Sequence, residues 1–252
     1  FRAWPKPHAG FPKARNPMLP KGILFDLDDT IIAFEAVANP TWQRICETYA
    51  RRSTLYDPTD LFKAIQEVRT WYWSDQARHR SGRQNLTQTR RDIVRLAFAK
   101  LGLEHPALAH AIADAYSVQR ERLIHFVPRA EATLQYLLEH QVALALLTNG
   151  EAQKQRQKVT RFGLERFFKT ILIEGEVGYG KPEAAVYRRA LADLDLTPDA
   201  VWSVGDHLEW DVSAPQKLGM RGIWHDFRAQ GLPPASPIIP DRIITSISEL
   251  LA

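Results

Sequence analysis

Residues 23–30, Ile-Leu-Phe-Asp-Leu-Asp-Asp-Thr, are the stretch that decides the fold of this chain. The first three form a continuous apolar run, which predicts a short strand buried on both faces, as in parallel α/β sheets. Asp26, Asp28 and Asp29 follow at once. Because open α/β sheets bind ligands at the carboxyl ends of their strands, these acids are predicted to lie at a ligand site. Taken alone, Asp29 or Thr30 could instead simply begin a helix.

A second apolar run, residues 142–147, ends in polar groups in the same way. It stops at Thr148-Asn149-Gly150, just before a stretch that reads as a helix from Glu151 to Phe162. A hydroxyl beside the free N–H groups of a helix N-terminus is typical of a phosphate site. The segment therefore predicts phosphate binding at the end of this strand.

The third run in the same pattern, residues 201–204, ends at Gly205-Asp206, and Asp211 follows five positions later. Carboxylate oxygens clustered in this way suit a hard divalent cation. His207 and Glu209 lie beside them, and we interpret both as loop residues that shape the site rather than as transition-metal ligands. Trp210 lies directly before Asp211, and the sequence leaves the hydrogen bonding around Asp211 open.

A fourth run, residues 170–173, leads through a glycine-rich segment to Lys181-Pro182. Lys181 places a cation before a predicted helix from about Glu183 to Leu194. Pro182 suits the first turn of that helix, where a missing N–H leaves no hydrogen bond unmade. The segment from Gly175 to Lys181 also has the P-loop spacing, but Pro182 stands where a P-loop needs Ser or Thr, so a nucleotide site is not expected.

Strands that alternate with helices predict a parallel sheet, and right-handed crossovers bring all four strand ends to one edge. The groups that meet there are acids, a hydroxyl and a cation. With these groups the chain resembles the haloacid dehalogenase superfamily of phosphotransferases, and the resemblance extends from about Leu19 to the C-terminus. The resemblance rests on four motifs in order: Asp26-Leu27-Asp28-Asp29-Thr30, Thr148, Lys181-Pro182, and Gly205-Asp206 with Asp211.

This resemblance implies a Rossmann-like parallel sheet flanked by helices and a Mg²⁺-dependent phosphoryl transfer through an aspartyl-phosphate. Asp26 is the expected nucleophile and Asp28 the expected general acid and base. The family pattern assigns Mg²⁺ to the carboxylates of Asp26 and Asp206 and to the backbone carbonyl of Asp28. Asp211 is expected to bind the metal directly or to support a residue that does.

Thr148 and Lys181 are expected to bind the phosphate, with Asn149 and the backbone N–H of Asp29 completing the cradle. Asp28 favours phosphate esters over carbon–halogen bonds, because a halide leaving group needs no proton. The predicted function is therefore hydrolysis of the phosphate monoester of a small metabolite. A phosphomutase using the same intermediate and a non-catalytic binding protein of the same fold are the alternatives.

Residues 36–126 interrupt the alternation and read as helical throughout, with residues such as Leu61, Ile65 and Val68 at helical spacing. We expect an all-helical cap that closes over the site, inserted into a core formed by residues 18–35 and 127–252. Substrate choice is then expected to depend on the cap and on the flap at residues 31–35. Trp71 and Trp73 cannot share one helix face. The basic run of Arg78, His79, Arg80 and Arg83 could meet a second anionic group, but a solvated face is the preferred interpretation.

Composition fits a folded protein without a polyanionic partner. The chain has 252 residues, 45% of them hydrophobic, and a net charge of +4. Four basic residues and no acid lie within the first seventeen positions, so the rest of the chain is electrically balanced and no nucleic-acid or membrane partner is expected. Residues 1–17 are rich in proline and are predicted to be a flexible extension. The single cysteine, Cys46, favours a reducing cytoplasm.

Overall fold

A six-stranded parallel sheet lies at the centre of the computed structural model, which describes residues 19–51 and 53–252. The extension predicted for residues 1–17 lies outside the described residues. In chain order the strands of this sheet and of a smaller two-stranded sheet are β1 (Gly22–Phe25), β2 (Ile32–Ala33), β3 (His125–Phe126), β4 (Ala143–Thr148), β5 (Thr170–Ile173), β6 (Val201–Gly205), β7 (Arg221–His225) and β8 (Arg242–Ile244).

The order in the large sheet is β5-β4-β1-β6-β7-β8, and every neighbouring pair is parallel. The four strands predicted from the sequence are thus adjacent. Phe25, the last residue of β1, is in register with Leu146 of β4 and Val204 of β6. Asp26, immediately after β1, therefore lies between the ends of two neighbouring strands.

The helices are, in chain order, α1 (Ala38–Ala50), α2 (Pro58–Ser74), α3 (Gln76–Arg83), α4 (Leu86–Lys100), α5 (Pro106–Leu123), α6 (Ala130–Glu139), α7 (Ala152–Arg161), α8 (Glu174–Val177), α9 (Ala184–Leu194) and α10 (Ala214–Gln216). Short 3₁₀ turns cover Leu164–Arg166, Pro198–Ala200 and Ile247–Leu251, and a π-helical turn covers Leu208–Ser213.

Alternate residues of the central strands pack on opposite faces of the sheet, as expected for a strand buried on both sides. Ile23 and Phe25 belong to one apolar cluster, which includes residues of α6 and α7. Leu24 belongs to the other, with residues of α9. The predicted α/β class with a doubly covered parallel sheet is confirmed.

Helices α1 to α5 lie between β2 and β3, and α1, α2, α4 and α5 pack around an apolar cluster of their own. Within it the ring of Trp42 stacks on that of Tyr116, with centroids 3.6 Å apart. β2 and β3 pair in antiparallel fashion, Ile32 opposite Phe126. The chain thus leaves the sheet and returns to it through this short two-stranded connection, and the insert is all-helical as predicted.

Two further features of the sequence have a defined place in the fold. Pro182 lies before α9 and not in its first turn, because Glu183 is extended (φ −64°, ψ 128°) and the helix begins at Ala184. The prediction that Pro182 lies in the first turn of this helix was therefore wrong. Cys46 is buried in the helical insert, and burial raises the pKa of its thiol to about 12. Among the described helices, none has the length and apolar character needed to cross a membrane.

Candidate active site

Asp26 occupies the end of β1, where its backbone N–H donates to the carbonyl of Val204 at 2.9 Å. Its carboxylate is buried and accepts from the Lys181 Nζ at 2.6 Å and, weakly, from the Thr30 hydroxyl at 3.4 Å. Burial raises the pKa of Asp26 to about 7, against the attraction of Lys181 and with help from the repulsion of Asp211. The carboxylate is therefore held in a position where an additional cation would favour its charged form.

Asp26, Asp206 and Asp211 form a cluster in which one carboxylate oxygen of each lies within 4.8 Å of the others. They come from different chain segments, the ends of β1 and β6 and the π-helical turn. Gly205 makes this approach possible, because a Cβ at this position would lie 2.2 Å from the Cγ of Asp211. Burial, followed by repulsion from Asp26 and Asp211, raises the pKa of Asp206 well above its ordinary value.

Lys181 bridges two members of this cluster. Its Nζ donates to one carboxylate oxygen of Asp26 and one of Asp211, both at 2.6 Å. Burial opposes the charge of Lys181, but the two carboxylates outweigh it and raise the lysine's pKa. The second oxygen of Asp211 accepts from the backbone N–H of His207 at 3.0 Å. The hydrogen-bond partners of Asp211, which could not be predicted from the sequence, are thus Lys181 and the backbone N–H of His207.

Asn149, which the sequence predicts to complete the phosphate cradle, lines the cavity, and its side chain contacts Lys181. Its amide donates to the backbone carbonyl of Lys181 at 2.7 Å and accepts from the backbone N–H of the same residue at 2.9 Å. Both ends of this side-chain amide thus hold the backbone of Lys181 in place. Thr148, in contrast, is buried in the site, and its Oγ1 accepts from Gln155 at 2.5 Å, so its hydroxyl hydrogen stays available to a ligand.

Asp29 also differs from its predicted role. It has φ 60°, in the left-handed region, and its backbone N–H donates to the carbonyl of Ile32 at 2.7 Å. That N–H closes a tight loop and is not free for a phosphate. The carboxylate of Asp29 instead accepts the backbone N–H groups of residues 34–36, so it anchors the flap that leads into the helical insert.

Asp28 is turned away from the three-aspartate cluster. Its carboxylate accepts from the Nζ of Lys158 at 2.9 and 2.8 Å and from Gln155 at 3.1 Å, both on α7. Neither Lys158 nor Gln155 was predicted from the sequence as a site residue. The available signal was their spacing, because residues three apart share a face of a helix that begins directly after the Thr148 strand end.

A cavity of about 400 Å³ lies between the sheet edge and the helical insert. The sheet side contributes Asp26, Asp28, Thr148 and Lys181. From the insert and the flap come Phe34, Glu35, Trp42, Arg69, Trp73, His79, Arg83, Leu86, Arg90, Ile93, Tyr116 and Arg120. Of the two tryptophans on α2, Trp73 lines this cavity while Trp71 is half exposed.

Within the described part of the chain, two ion pairs join helix α3 of the insert to the core beyond residue 127. Arg83 forms a bidentate pair with Glu174 at 2.8 and 2.5 Å, and both side chains are largely buried. Arg80 meets Glu183 at 3.4 Å in an exposed pair. The expectation of a solvated face for residues 78–83 is therefore wrong for Arg83, because its side chain lies at the interface of insert and core.

Comparison with known proteins agrees with this architecture. A family model described as haloacid dehalogenase-like hydrolase matches residues 23–225. A phosphoserine phosphatase from Thermus thermophilus is 37% identical over 146 residues, which cover 58% of this chain and 57% of that relative. A glyceraldehyde 3-phosphate phosphatase from Methanopyrus kandleri is 28% identical over 240 residues, 92% of this chain and 95% of the relative.

Among solved structures, the HAD-hydrolase YfnB from Bacillus subtilis, bound to magnesium, has the same fold. Its TM-score is 0.70 at 21% sequence identity, and the match covers 92% of this chain and 97% of that one. The match extends over the sheet and the helical insert alike. At this level of identity the likeness concerns the fold.

Proposed function

The chain belongs to the haloacid dehalogenase-like hydrolases, and on that premise we propose that it is a Mg²⁺-dependent phosphatase of a small phosphorylated metabolite, acting through an aspartyl-phosphate. The observation that carries this proposal is the separate environment of two carboxylates in one cavity. Asp26 pairs with Lys181 inside the acidic cluster, whereas Asp28 pairs with Lys158 outside it. Different surroundings are what allow two neighbouring acids to take different roles.

Asp26 acts as the nucleophile in the first step. A carboxylate oxygen forms a bond to phosphorus while the bond between phosphorus and the ester oxygen breaks. Asp28, protonated for this step, gives its proton to the departing alkoxide. Thr148 and Lys181 bind the oxygens of the transferred group, which carry the negative charge. The alcohol leaves and Asp26 carries the phosphoryl group.

Water completes the reaction in the second step. Asp28, now a carboxylate, takes a proton from a water molecule as its oxygen attacks the phosphorus of the aspartyl-phosphate. The bond to Asp26 breaks, inorganic phosphate leaves, and both acids return to their starting states. Lys158 and Gln155 hold Asp28 for this exchange, since both donate to its carboxylate.

The acidic cluster has the donors that Mg²⁺ prefers. Three carboxylates meet one lysine there, those of Asp26 and Asp211 buried and that of Asp206 half-buried. The Asp206 carboxylate has no cationic partner within the part of the chain that the structure describes. Hard oxygen ligands with excess negative charge suit Mg²⁺. Asp26, Asp206 and the backbone carbonyl of Asp28 would hold the ion. When bound, Mg²⁺ would neutralise the charge between the carboxylate of Asp26 and the phosphoryl group.

Asp211 fits a supporting role better than direct ligation. Both of its carboxylate oxygens are already hydrogen-bonded, one to Lys181 and one to the backbone N–H of His207. We therefore assign Asp211 to holding Lys181 beside Asp26. Asn149 has the same effect from the backbone side of Lys181.

The test is phosphate release from a panel of phosphate monoesters with Mg²⁺, repeated with a chelator. Asp26→Asn should abolish turnover while its circular dichroism matches the wild type, and Asp199→Asn, at an exposed aspartate, should retain activity. Acid quenching during turnover should trap a phosphoryl group on the peptide that contains Asp26. Full activity of Asp26→Asn would contradict the mechanism. An isomerised sugar phosphate as the product would favour a phosphomutase.

A further inference from the structure

Arg90, on α4 in the helical insert, lines the cavity with a buried guanidinium that is not fully hydrogen-bonded. Its side chain is buried, with only 6% of the residue exposed, and its Nη2 has no hydrogen-bond partner in the described part of the chain. Trp42, in the same wall, has a buried indole N–H that is also without a partner. Buried donors are normally hydrogen-bonded, so two unpaired donors in one cavity wall indicate a missing ligand.

The other arginines of this wall each have a carboxylate partner. Arg69 and Arg120 share the carboxylate of Glu35, and Arg120 also donates to the backbone carbonyl of Phe34. Arg83 pairs with Glu174. No carboxylate lies within ion-pair distance of Arg90 among the residues described. The wall of the cavity therefore carries more cations than its own carboxylates neutralise, and Arg90 is the arginine among these four that has no carboxylate partner.

Arg90 nevertheless stays charged. Burial, and then repulsion from Arg120, lowers its pKa to about 10, while attraction from Tyr116 and Glu121 opposes the shift. The guanidinium lies 5.4 Å from the centre of the Tyr116 ring, a cation–π contact that compensates only part of the lost hydration. A buried charge of this kind destabilises a fold unless something pairs with it. A ligand of opposite charge would supply that pairing.

The opposite wall of the same cavity contains Asp26 and Lys181. A substrate whose phosphate lies against Asp26 must extend its leaving group into the remaining space, which the helical insert encloses. A volume of about 400 Å³ is within the range of small-molecule sites. The stacked rings of Trp42 and Tyr116 provide a flat apolar surface beside the unpaired donors.

We propose that Arg90, with the indole N–H of Trp42, binds a second anionic group, a carboxylate or a phosphate, on the leaving group of the substrate. This inference rests on the proposed phosphatase function and narrows its substrate class. The protein then acts on phosphate monoesters that carry two anionic ends. An ester with a neutral leaving group lacks the partner for Arg90 and leaves the charge buried and unpaired, which weakens its binding.

The experiment compares two pairs of esters that differ mainly in the second charge. The first pair is 3-phosphoglycerate and glycerol 3-phosphate, which tests a carboxylate. The second is fructose 1,6-bisphosphate and fructose 6-phosphate, which tests a phosphate. For each pair the ratio of kcat/KM, charged over neutral, is measured with Mg²⁺ for the wild type, Arg90→Met and Arg95→Met. Arg95 is on the same helix but exposed, and is the matched control.

In the wild type the ratio should favour the charged member of at least one pair. Arg90→Met should lower that ratio about 10- to 100-fold, mainly through KM, the range that corresponds to a charged hydrogen bond. Arg95→Met should keep the wild-type ratio. Arg90→Met should also melt at or above the wild-type temperature, since it removes an unpaired buried charge. The pair whose ratio falls identifies the anion as carboxylate or phosphate.

Unchanged ratios in Arg90→Met would overturn the subsite while leaving the phosphatase function standing. Failure of the wild type on all four esters would overturn the proposed function and this inference with it. If Arg90→Met does not fold, Arg90→Lys serves in its place. It retains the charge but has fewer donors, so an intermediate ratio supports the proposal and a wild-type ratio contradicts it.

Discussion

Lys158 donates hydrogen bonds to both carboxylate oxygens of Asp28, at 2.9 and 2.8 Å, and joins α7 to the segment that follows β1. The lysine is buried, whereas the side chain of Asp28 is still partly exposed to the cavity. Burial lowers the pKa of Lys158 and the charge of Asp28 opposes that shift. Its Nζ also lies 3.7 Å from the centre of the Phe34 ring in the flap.

Lys158→Met should therefore lower kcat about 10- to 100-fold with a smaller change in KM, because Asp28 loses two of the three hydrogen bonds that orient it. The effect should be larger for an alkyl phosphate than for p-nitrophenyl phosphate, whose leaving group needs less protonation. Steady-state kinetics on both esters measures this. Lys154→Met, on the same helix, is the control, and equal kcat values in the two variants would argue against a positioning role for Lys158.

Removal of the metal should affect the wild type and Asp206→Asn differently. We expect Mg²⁺ to raise the melting temperature of the wild type, by the equivalent of about 2.7 kcal/mol at a hundredfold excess over Kd, and a chelator to reverse the shift. Asp206→Asn should melt higher than the wild type without metal, because burial and repulsion oppose the charge of Asp206. It should lose the response to Mg²⁺. A wild-type response in this variant would remove Asp206 from the metal site.

The two ion pairs that α3 forms with the core, Arg83–Glu174 and Arg80–Glu183, should differ greatly in their contribution to the free energy of unfolding. Arg83→Met leaves the buried carboxylate of Glu174 without its guanidinium, which should cost about 3–5 kcal/mol of the free energy of unfolding. Arg80→Met breaks the exposed pair with Glu183 and should cost less than about 1 kcal/mol. Urea titration measures both values. The double variant Arg83→Met/Glu174→Gln should recover part of the loss. Equal losses in Arg83→Met and Arg80→Met would show that the buried Arg83–Glu174 pair contributes no more to stability than the exposed pair.

The free energy of unfolding of the metal-free protein should depend on pH through the titration of Asp26. Its pKa is about 7 in the folded state and near 3.8 in the unfolded state, so between these values the folded state binds more protons. The titration of this group therefore lowers the free energy of unfolding as the pH rises from about 4 to about 7, by up to about 1.4 kcal/mol per pH unit.

Asp26→Asn does not titrate, so comparison with it isolates this contribution from all other groups. Its stability relative to the wild type should increase from pH 4 to pH 7 and then level off. Denaturant titration with a chelator present gives this difference. A difference that is constant over the whole pH range would contradict the raised pKa of Asp26.

The four central strands and their polar ends were predictable because each is a short apolar run followed at once by a chemical group. β7 and β8 carry no such signal, since Arg221–His225 mixes charged and small residues with apolar ones and β8 has only three residues. β7 nevertheless supports the site. The indole N–H of Trp224 donates to the backbone carbonyl of Asp206 at 2.7 Å. Such a contact depends on strand order, which no local pattern encodes.

Asp29 and Asn149 were both assigned to the phosphate because of their place beside strand ends. The backbone N–H of Asp29 is instead taken up by the carbonyl of Ile32, and the side chain of Asn149 holds Lys181. Position along the chain indicates which groups reach the sheet edge. It does not indicate which of these groups are already hydrogen-bonded within the protein and so are not free to bind a ligand.

By itself the sequence determined the parallel α/β core, the helical insert and the chemistry at the sheet edge, because apolar periodicity and strand-end residues are local properties. Tertiary structure alone decided that Asp28 meets Lys158, that Arg83 locks the insert to Glu174, and that Arg90 is left unpaired in the cavity wall. These relationships join residues far apart in the chain, or depend on a partner that is absent. Only the folded packing shows which buried charges are neutralised and which one still needs a ligand.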